Sequence, residues 1–203
     1  MSGETPTYAT YKEFCGNLEQ PWVTLNSAAV DWTQQETTRD QTCIEAVFDT
    51  MALADASILH VGVGNSRFAQ RFANRARRID GLTVHQNEKT HADALGLPNY
   101  TVYVLNKHSQ EFVSVLTNTY DCIIDNNLAS FACCKHHFFV MFENYLRVLT
   151  SYGQILTCQI GMDAYHGAFG WVMTYADLVS LERKFPVHVS KMTDVVYAIA
   201  ARH

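Results

Sequence analysis

Apolar residues change their spacing along this chain of 203 residues, and the changes mark its elements. In "QTCIEAVFDTMAL", Ile44, Val47, Phe48 and Met51 share one face at helical spacing. From Ile58 the rule alters. "SILHVGV" is a short continuous apolar run bounded by glycine, which reads as a buried strand. "SRFAQRFANRARR" follows as a helix, with Phe68, Ala69, Phe72, Ala73 and Ala76 in its apolar stripe. The alternation then repeats: strand "GLTVHQ", helix "EKTHADALGL", strand "YTVYVLN", short helix "SQEFVSVLTN" and strand "YDCIID". Helix "HHFFVMFENYLRVL", strand "GQILTCQI" and helix "YADLVSLERKF" continue it. "PVHVSKM" and "VVYAIAAR" close the chain as two strands separated by Thr193-Asp194, a hairpin turn.

Strands alternating with helices predict an α/β fold. The expected form is a three-layer sandwich around a mostly parallel seven-stranded sheet ending in an antiparallel hairpin. Residues 1–50 differ in character and are expected to form an N-terminal helical cap or lid ahead of the main domain, residues 51–203. Tyr8, Tyr11, Trp22 and Trp32 crowd this segment, and Gln34 and Gln35 add amides.

Composition narrows the field. With 48% hydrophobic and 17% charged residues, the chain can bury a core of its own. No run of apolar residues reaches membrane-spanning length, and "MSGETPTYATYKEF" lacks a basic start followed by an apolar core, so a cytoplasmic protein without membrane attachment is expected. The net charge of −5 disfavours nucleic acid as a dominant partner. Arg67, Arg71, Arg75 and Arg78 read as a solvated helix face. The six cysteines form no C-x-x-C pair and read as free thiols in a reducing compartment. "CCKHH" offers Cys/His pairs at i,i+3, but two ligands fall short of a zinc site, so no metal is expected.

The chemistry concentrates at "HVGVGNSRFA". Two glycines, Gly62 and Gly64, let the backbone approach a ligand after the first strand. Arg67 stands where a dinucleotide fingerprint has its third glycine, which counts against NAD, and no Walker loop is present.

The stretch from Ile58 to Arg202 resembles the class I S-adenosylmethionine-dependent methyltransferases. "HVGVGNSRFA" looks like their first motif. "YDCIID" and then "YLRVLTSYGQIL" look like their fourth strand, helix and fifth strand. The resemblance implies S-adenosyl-L-methionine as cofactor, with Gly62, Gly64, Asn65 and Ser66 at its aminoacyl end. His60 stands where the family has an acid for the cofactor's amino group. Glu88, or Gln86 if the second strand ends early, would take the ribose hydroxyls, since a carboxylate accepts two hydrogen bonds at once. Asn106 and Lys107 would lie beside the adenine. Asp125 and Asn126 would face cofactor or acceptor, the alternative being a helix cap.

Acceptor-side candidates lie in "GMDAYHGAFGWVMTY". Asp163, Tyr165 and His166 are the catalytic candidates, with His166 as a base near neutral pH or an exposed loop histidine. Trp171, Asn127, Tyr11, Trp32 and Gln35 are the substrate or lid candidates, the aromatic ones with ordinary packing as alternative. "DNNL" lacks the proline pair and aromatic of the amino-methylating nucleic-acid enzymes. The implied activity is methyl transfer to a small molecule, with a homodimer left open. Two other readings stay beside it: an enzyme that cyclises or cleaves S-adenosylmethionine itself with loss of methylthioadenosine, and a non-catalytic cofactor-binding or scaffold subunit.

Overall fold

The computed structural model describes residues 32–109, 111–130, 132, 134–163 and 172–202. Seven strands form one sheet: β1 (Ser57–Val61), β2 (Arg78–Thr83), β3 (Tyr100–Val104), β4 (Tyr120–Ile124), β5 (Leu149–Cys158), β6 (Val187–Lys191) and β7 (Val196–Ala201). Their order is β3-β2-β1-β4-β5-β7-β6, with β7 antiparallel to both neighbours and every other pairing parallel. The helices are α1 (Arg39–Asp49), α2 (Arg67–Phe72), α3 (Gln86–Ala94), α4 (Phe112–Val115), α5 (Lys135–Val148), α6 (Gln159–Asp163) and α7 (Tyr175–Lys184). The α/β sandwich and its final hairpin are as the alternating pattern predicts.

Strand residues alternate between two cores because side chains of a strand point to opposite faces. Leu59, Ile123, Ile155 and Ile199 join the α5 and α7 side, with Phe138, Phe142 and Leu181. Ile58, Cys122, Leu156 and Ala198 join the other side, with Ile44 and Phe48 of α1 and Phe68 and Phe72 of α2. Phe48 meets Phe68 edge-on, ring centroids 5.0 Å apart. α1 is therefore part of the core that supports the sheet.

Several elements differ from the sequence expectation, each for a local reason. β2 lies three residues upstream of "GLTVHQ", so Gln86 opens α3 rather than ending a strand. Asp80 disguised the strand. It is buried, accepts the Tyr120 hydroxyl at 2.7 Å and lies 3.3 Å from Arg78. The helix read as running to Arg78 stops at Phe72 and tightens into a 3₁₀ turn, Ala73–Arg75. The segment from Gly161, read as a loop, starts inside α6, which continues directly from β5.

The arginine stripe is also corrected. Arg78 belongs to β2. Arg71 pairs with Glu45 and, at 2.8 Å, with Asp49, while Arg75 donates to the Phe48 and Met51 carbonyls at 3.2 and 3.1 Å. Arg71 and Arg75 lash α2 and the 3₁₀ turn after it to α1 instead of standing free in solvent.

Gly81 shows how tightly β2 is covered. A Cβ there would lie 2.6 Å from Val63 Cγ1 and 2.9 Å from Val102 Cγ2. Gly81→Ala is expected to cost about 1–3 kcal/mol by overpacking. A denaturant midpoint equal to that of the parent chain would refute this account.

Candidate functional site

The β1–α2 crossing builds the site. Gly62 and Gly64 adopt φ of +80° and +49°, in the left-handed region that glycine enters without penalty. A Cβ on Gly62 would meet nothing within 4 Å, so its requirement is conformational. The Gly62 amide donates to Leu82 at 2.8 Å, and the Ser66 amide closes the turn on the Val63 carbonyl at 2.8 Å. Asn65 holds the start of α2: its Oδ1 accepts the Arg67 amide at 3.0 Å and its Nδ2 donates to the Gln35 carbonyl at 2.9 Å. Residues 32–38 therefore lie against the glycine turn.

Beyond the carboxyl ends of the parallel strands is a cavity of about 690 Å³, within the range of small-molecule pockets. It lies where strand order reverses between β1 and β4, the place where open α/β sheets take ligands. Among the residues expected from sequence, His60, Gly62, Gly64, Asn65 and Glu88 line it. Asn106, Lys107, Asp125, Asn126, Asn127 and Trp32 line it too. Ser66 does not. It is buried and faces the Tyr100 hydroxyl at 3.2 Å. Gln86 and the Gln35 side chain are also off the wall. Asp163 is the last residue of α6. Tyr11, Tyr165, His166 and Trp171 lie outside the described residues.

Glu88 reaches the cavity from the first turn of α3. It is buried and accepts the Thr83 hydroxyl at 2.5 Å. Thr83 ends β2, beside Gly62, and is a wall residue that sequence reasoning missed because β2 was placed too late.

Lys107 and Asp125 are each other's partners. The Lys107 ammonium donates to Asp125 Oδ2 at 2.7 Å, to the Asn127 and Leu128 carbonyls at 3.1 Å, and to Ser130 Oγ at 2.9 Å. Asp125 Oδ2 also accepts the Tyr145 hydroxyl at 2.7 Å. Burial pulls the Lys107 pKa down and the Asp125 charge opposes it; burial, then Asp125, holds the Tyr145 phenol well above its ordinary value. Lys107 thus ties the loop after β3 to the loop after β4. The helix-cap alternative for Asp125 and Asn126 does not describe α5, whose N-cap is Cys134.

Asn106 is similarly engaged, its Oδ1 accepting the His108 amide at 3.0 Å. Its side-chain NH₂ is therefore the group left to face a ligand. His108 places Nε2 on the Ser130 carbonyl at 3.1 Å, and burial, helped by the Lys107 charge, pulls its pKa to about 3.

His60 is neutral at pH 7: burial lowers its pKa to about 4, against the opposing pull of Asp125. Its Nε2 meets Gln41 Oε1 at 3.2 Å, and the Gln41 amide nitrogen faces Glu45 at 3.5 Å. Glu45 thereby orients the amide, and the amide makes Nε2 the protonated nitrogen. Among the described residues, Nδ1 is buried without a hydrogen-bond partner.

Asn126 Nδ2 donates to Asp40 Oδ2 at 2.8 Å. Gly161 backs this contact so closely that a Cβ would lie 2.2 Å from the Asn126 carbonyl oxygen and 2.7 Å from Asp40 Oδ2. Asp40 and Gln41 line the cavity from α1 and had no motif to mark them. Among the described residues no three His, Cys, Asp or Glu side chains gather to hold a metal ion.

No protein-family model matches the sequence, and no curated protein matches it significantly. Solved structures do. The N-methyltransferase NodS from Bradyrhizobium japonicum WM9, in complex with S-adenosyl-L-homocysteine, aligns with a TM-score of 0.63 at 9% identity over 95% of this chain and 97% of its own. A TehB-like S-adenosylmethionine-dependent methyltransferase from Corynebacterium glutamicum ATCC 13032 Kitasato aligns at 0.58, with 14% identity over 95% of this chain and all of its own, 100%. An rRNA methylase from Streptococcus thermophilus aligns at 0.54, with 10% identity over 83% of this chain and 100% of its own. The chain has the fold of the S-adenosylmethionine-dependent methyltransferases.

Proposed function

We propose that this chain, with its methyltransferase fold, binds S-adenosyl-L-methionine in the cavity at the β1/β4 switch and transfers its methyl group to a small-molecule acceptor. The observation that carries the reading is the left-handed glycine turn at Gly62 and Gly64, faced across the cavity by the buried carboxylate of Glu88. NodS with its bound S-adenosyl-L-homocysteine supports the cofactor assignment.

The residues present suit that cofactor. Gly62 and Gly64 let the backbone approach it. Glu88, oriented by Thr83, would accept from the two ribose hydroxyls. The Asn106 NH₂, left free to point inward by the His108 amide on its Oδ1, would donate to the adenine. When bound, the cofactor supplies an electrophilic methyl group on a positively charged sulfur. The chain's part is to hold the acceptor in line and exclude water. Trp32 lies on the wall beside Gly64, and we assign the N-terminal segment to closing over the ligand, residues 1–31 of it lying outside the described residues. Asp163, Tyr165, His166 and Trp171 remain the acceptor-side proposal, and residence in the cytoplasm is part of the same reading. Among the described residues, no helix is long and apolar enough to cross a membrane.

The test is titration with S-adenosyl-L-homocysteine alongside incubation with S-adenosyl-L-methionine alone, followed by mass spectrometry. Binding with an unchanged cofactor is the expected result, to be followed by an acceptor screen. Release of methylthioadenosine without acceptor would replace methyl transfer by cyclisation or cleavage. No binding of either compound would overturn the proposal.

A further inference from the structure

Several acidic side chains of this protein face cations. Glu45 and Asp49 pair with Arg71, Asp80 with Arg78, and Asp125 with Lys107. Glu36 stands exposed on the cavity wall. Among the described residues, two other wall carboxylates are fixed by a neutral donor and face no cation: Glu88, held by the Thr83 hydroxyl, and Asp40, held by the Asn126 amide. They stand at opposite ends. Glu88 is on the β2 side, whereas Asp40 sits by the loop after β4 and the start of α6. If the ribose lies at Glu88, the aminoacyl arm of the ligand points across the glycine turn towards Asp40.

That arm carries a primary ammonium, which needs acceptors and a countercharge. The strand residue beneath it supplies no charge. His60 is neutral, its Nε2–H is engaged by Gln41, and Nδ1 is enclosed. Asp125 is already balanced by Lys107. Gln41, which fixes the ring of His60, immediately follows Asp40 on α1, so the same turn of helix presents both groups. The Asn126 amide fixes Asp40 Oδ2, and Gly161 leaves the room that a Cβ would take from that oxygen.

We propose that Asp40, delivered from α1 and aimed by Asn126, is the carboxylate that holds the ammonium of the cofactor, in place of a charged residue on β1. The inference rests on the cofactor reading above and deepens it.

The experiment compares S-adenosyl-L-homocysteine with its deaminated analogue, in which hydrogen replaces the amino group, by calorimetric titration of the full chain and of Asp40→Asn. The variant keeps the size and the hydrogen bond reach of the side chain, and its thermal unfolding confirms that it is folded. The expected loss is about 10–100-fold in affinity for S-adenosyl-L-homocysteine, the range of a charge-assisted hydrogen bond. The deaminated analogue is expected to bind parent and variant equally. Equal affinity of both proteins for S-adenosyl-L-homocysteine overturns the proposal. So does a parallel loss for both ligands, which would make Asp40 a wall support. His60→Leu serves as the second variant: a selective loss of S-adenosyl-L-homocysteine binding there, with none in Asp40→Asn, would move ammonium recognition to the strand. If the parent chain binds neither ligand, the cofactor reading itself falls.

Discussion

Lys107→Met is expected to destabilise the folded chain by about 3–5 kcal/mol, because it leaves the Asp125 carboxylate buried without its countercharge. The side chains of Lys107 and Asp125 are 6% and 3% exposed, so water cannot replace the lost partner. The Tyr145 hydroxyl is the remaining partner and is a neutral donor. The Leu128 carbonyl and the Ser130 hydroxyl lose the ammonium as well, and the Asn127 carbonyl keeps only the Ser130 amide, which loosens the loop after β4 where it forms the cavity wall. At about 2–4 °C per kcal/mol for a chain of this size, the midpoint of thermal unfolding should fall by roughly 6–20 °C. A double variant, Lys107→Met with Asp125→Leu, removes both charges and is expected to regain much of the loss, since an apolar pair of similar volume often matches a buried ion pair. A fall of a degree or less in the single variant would mean that the pair is no stronger than an exposed one.

The sequence carries the strand–helix alternation openly because burial on both faces of a parallel sheet leaves continuous apolar runs such as Ile58–Val61. The capping box of α7, Thr174 with Asp177, likewise sits at its expected boundary. β2 escapes the sequence pattern because Asp80 breaks it, a carboxylate held by the Tyr120 hydroxyl forty positions away as well as by Arg78. A satisfied buried acid is indistinguishable from a loop acid until its partner is known.

The site divides the same way. Gly62 and Gly64 are legible because backbone conformation is a local demand, and Asp125 and Asn126 because they follow an apolar strand directly. Glu88 is legible only as an acid near the second strand, and its link to Thr83 depends on where that strand stops. Asp40 and Gln41 are illegible. Their partners, Asn126 and His60, lie 86 and 19 positions away, and nothing around them deviates from an ordinary amphipathic helix. Lys107 read as a ligand contact because its sequence position fits; only its four oxygen partners show that it is used up inside the protein.

Glu88→Gln tests the legible half of the site and should weaken binding of S-adenosyl-L-homocysteine by about 30–150-fold, or about 2–3 kcal/mol. A carboxylate offers only acceptors, so two neighbouring hydroxyls can both donate to it. The amide keeps one acceptor oxygen and turns an NH₂ towards the second hydroxyl, which must then reorient or go unpaired. The Thr83 hydroxyl, which donates to Glu88 Oε2, competes for that single oxygen. Because Glu88 is buried, solvent does not make up the difference. The loss should depend on the ribose: an analogue lacking the 2′-hydroxyl has one donor fewer and should distinguish parent from variant by a smaller factor. Equal affinity of parent and variant for S-adenosyl-L-homocysteine would place the ribose elsewhere in the cavity. It would also remove the anchor from which the aminoacyl arm is directed towards Asp40.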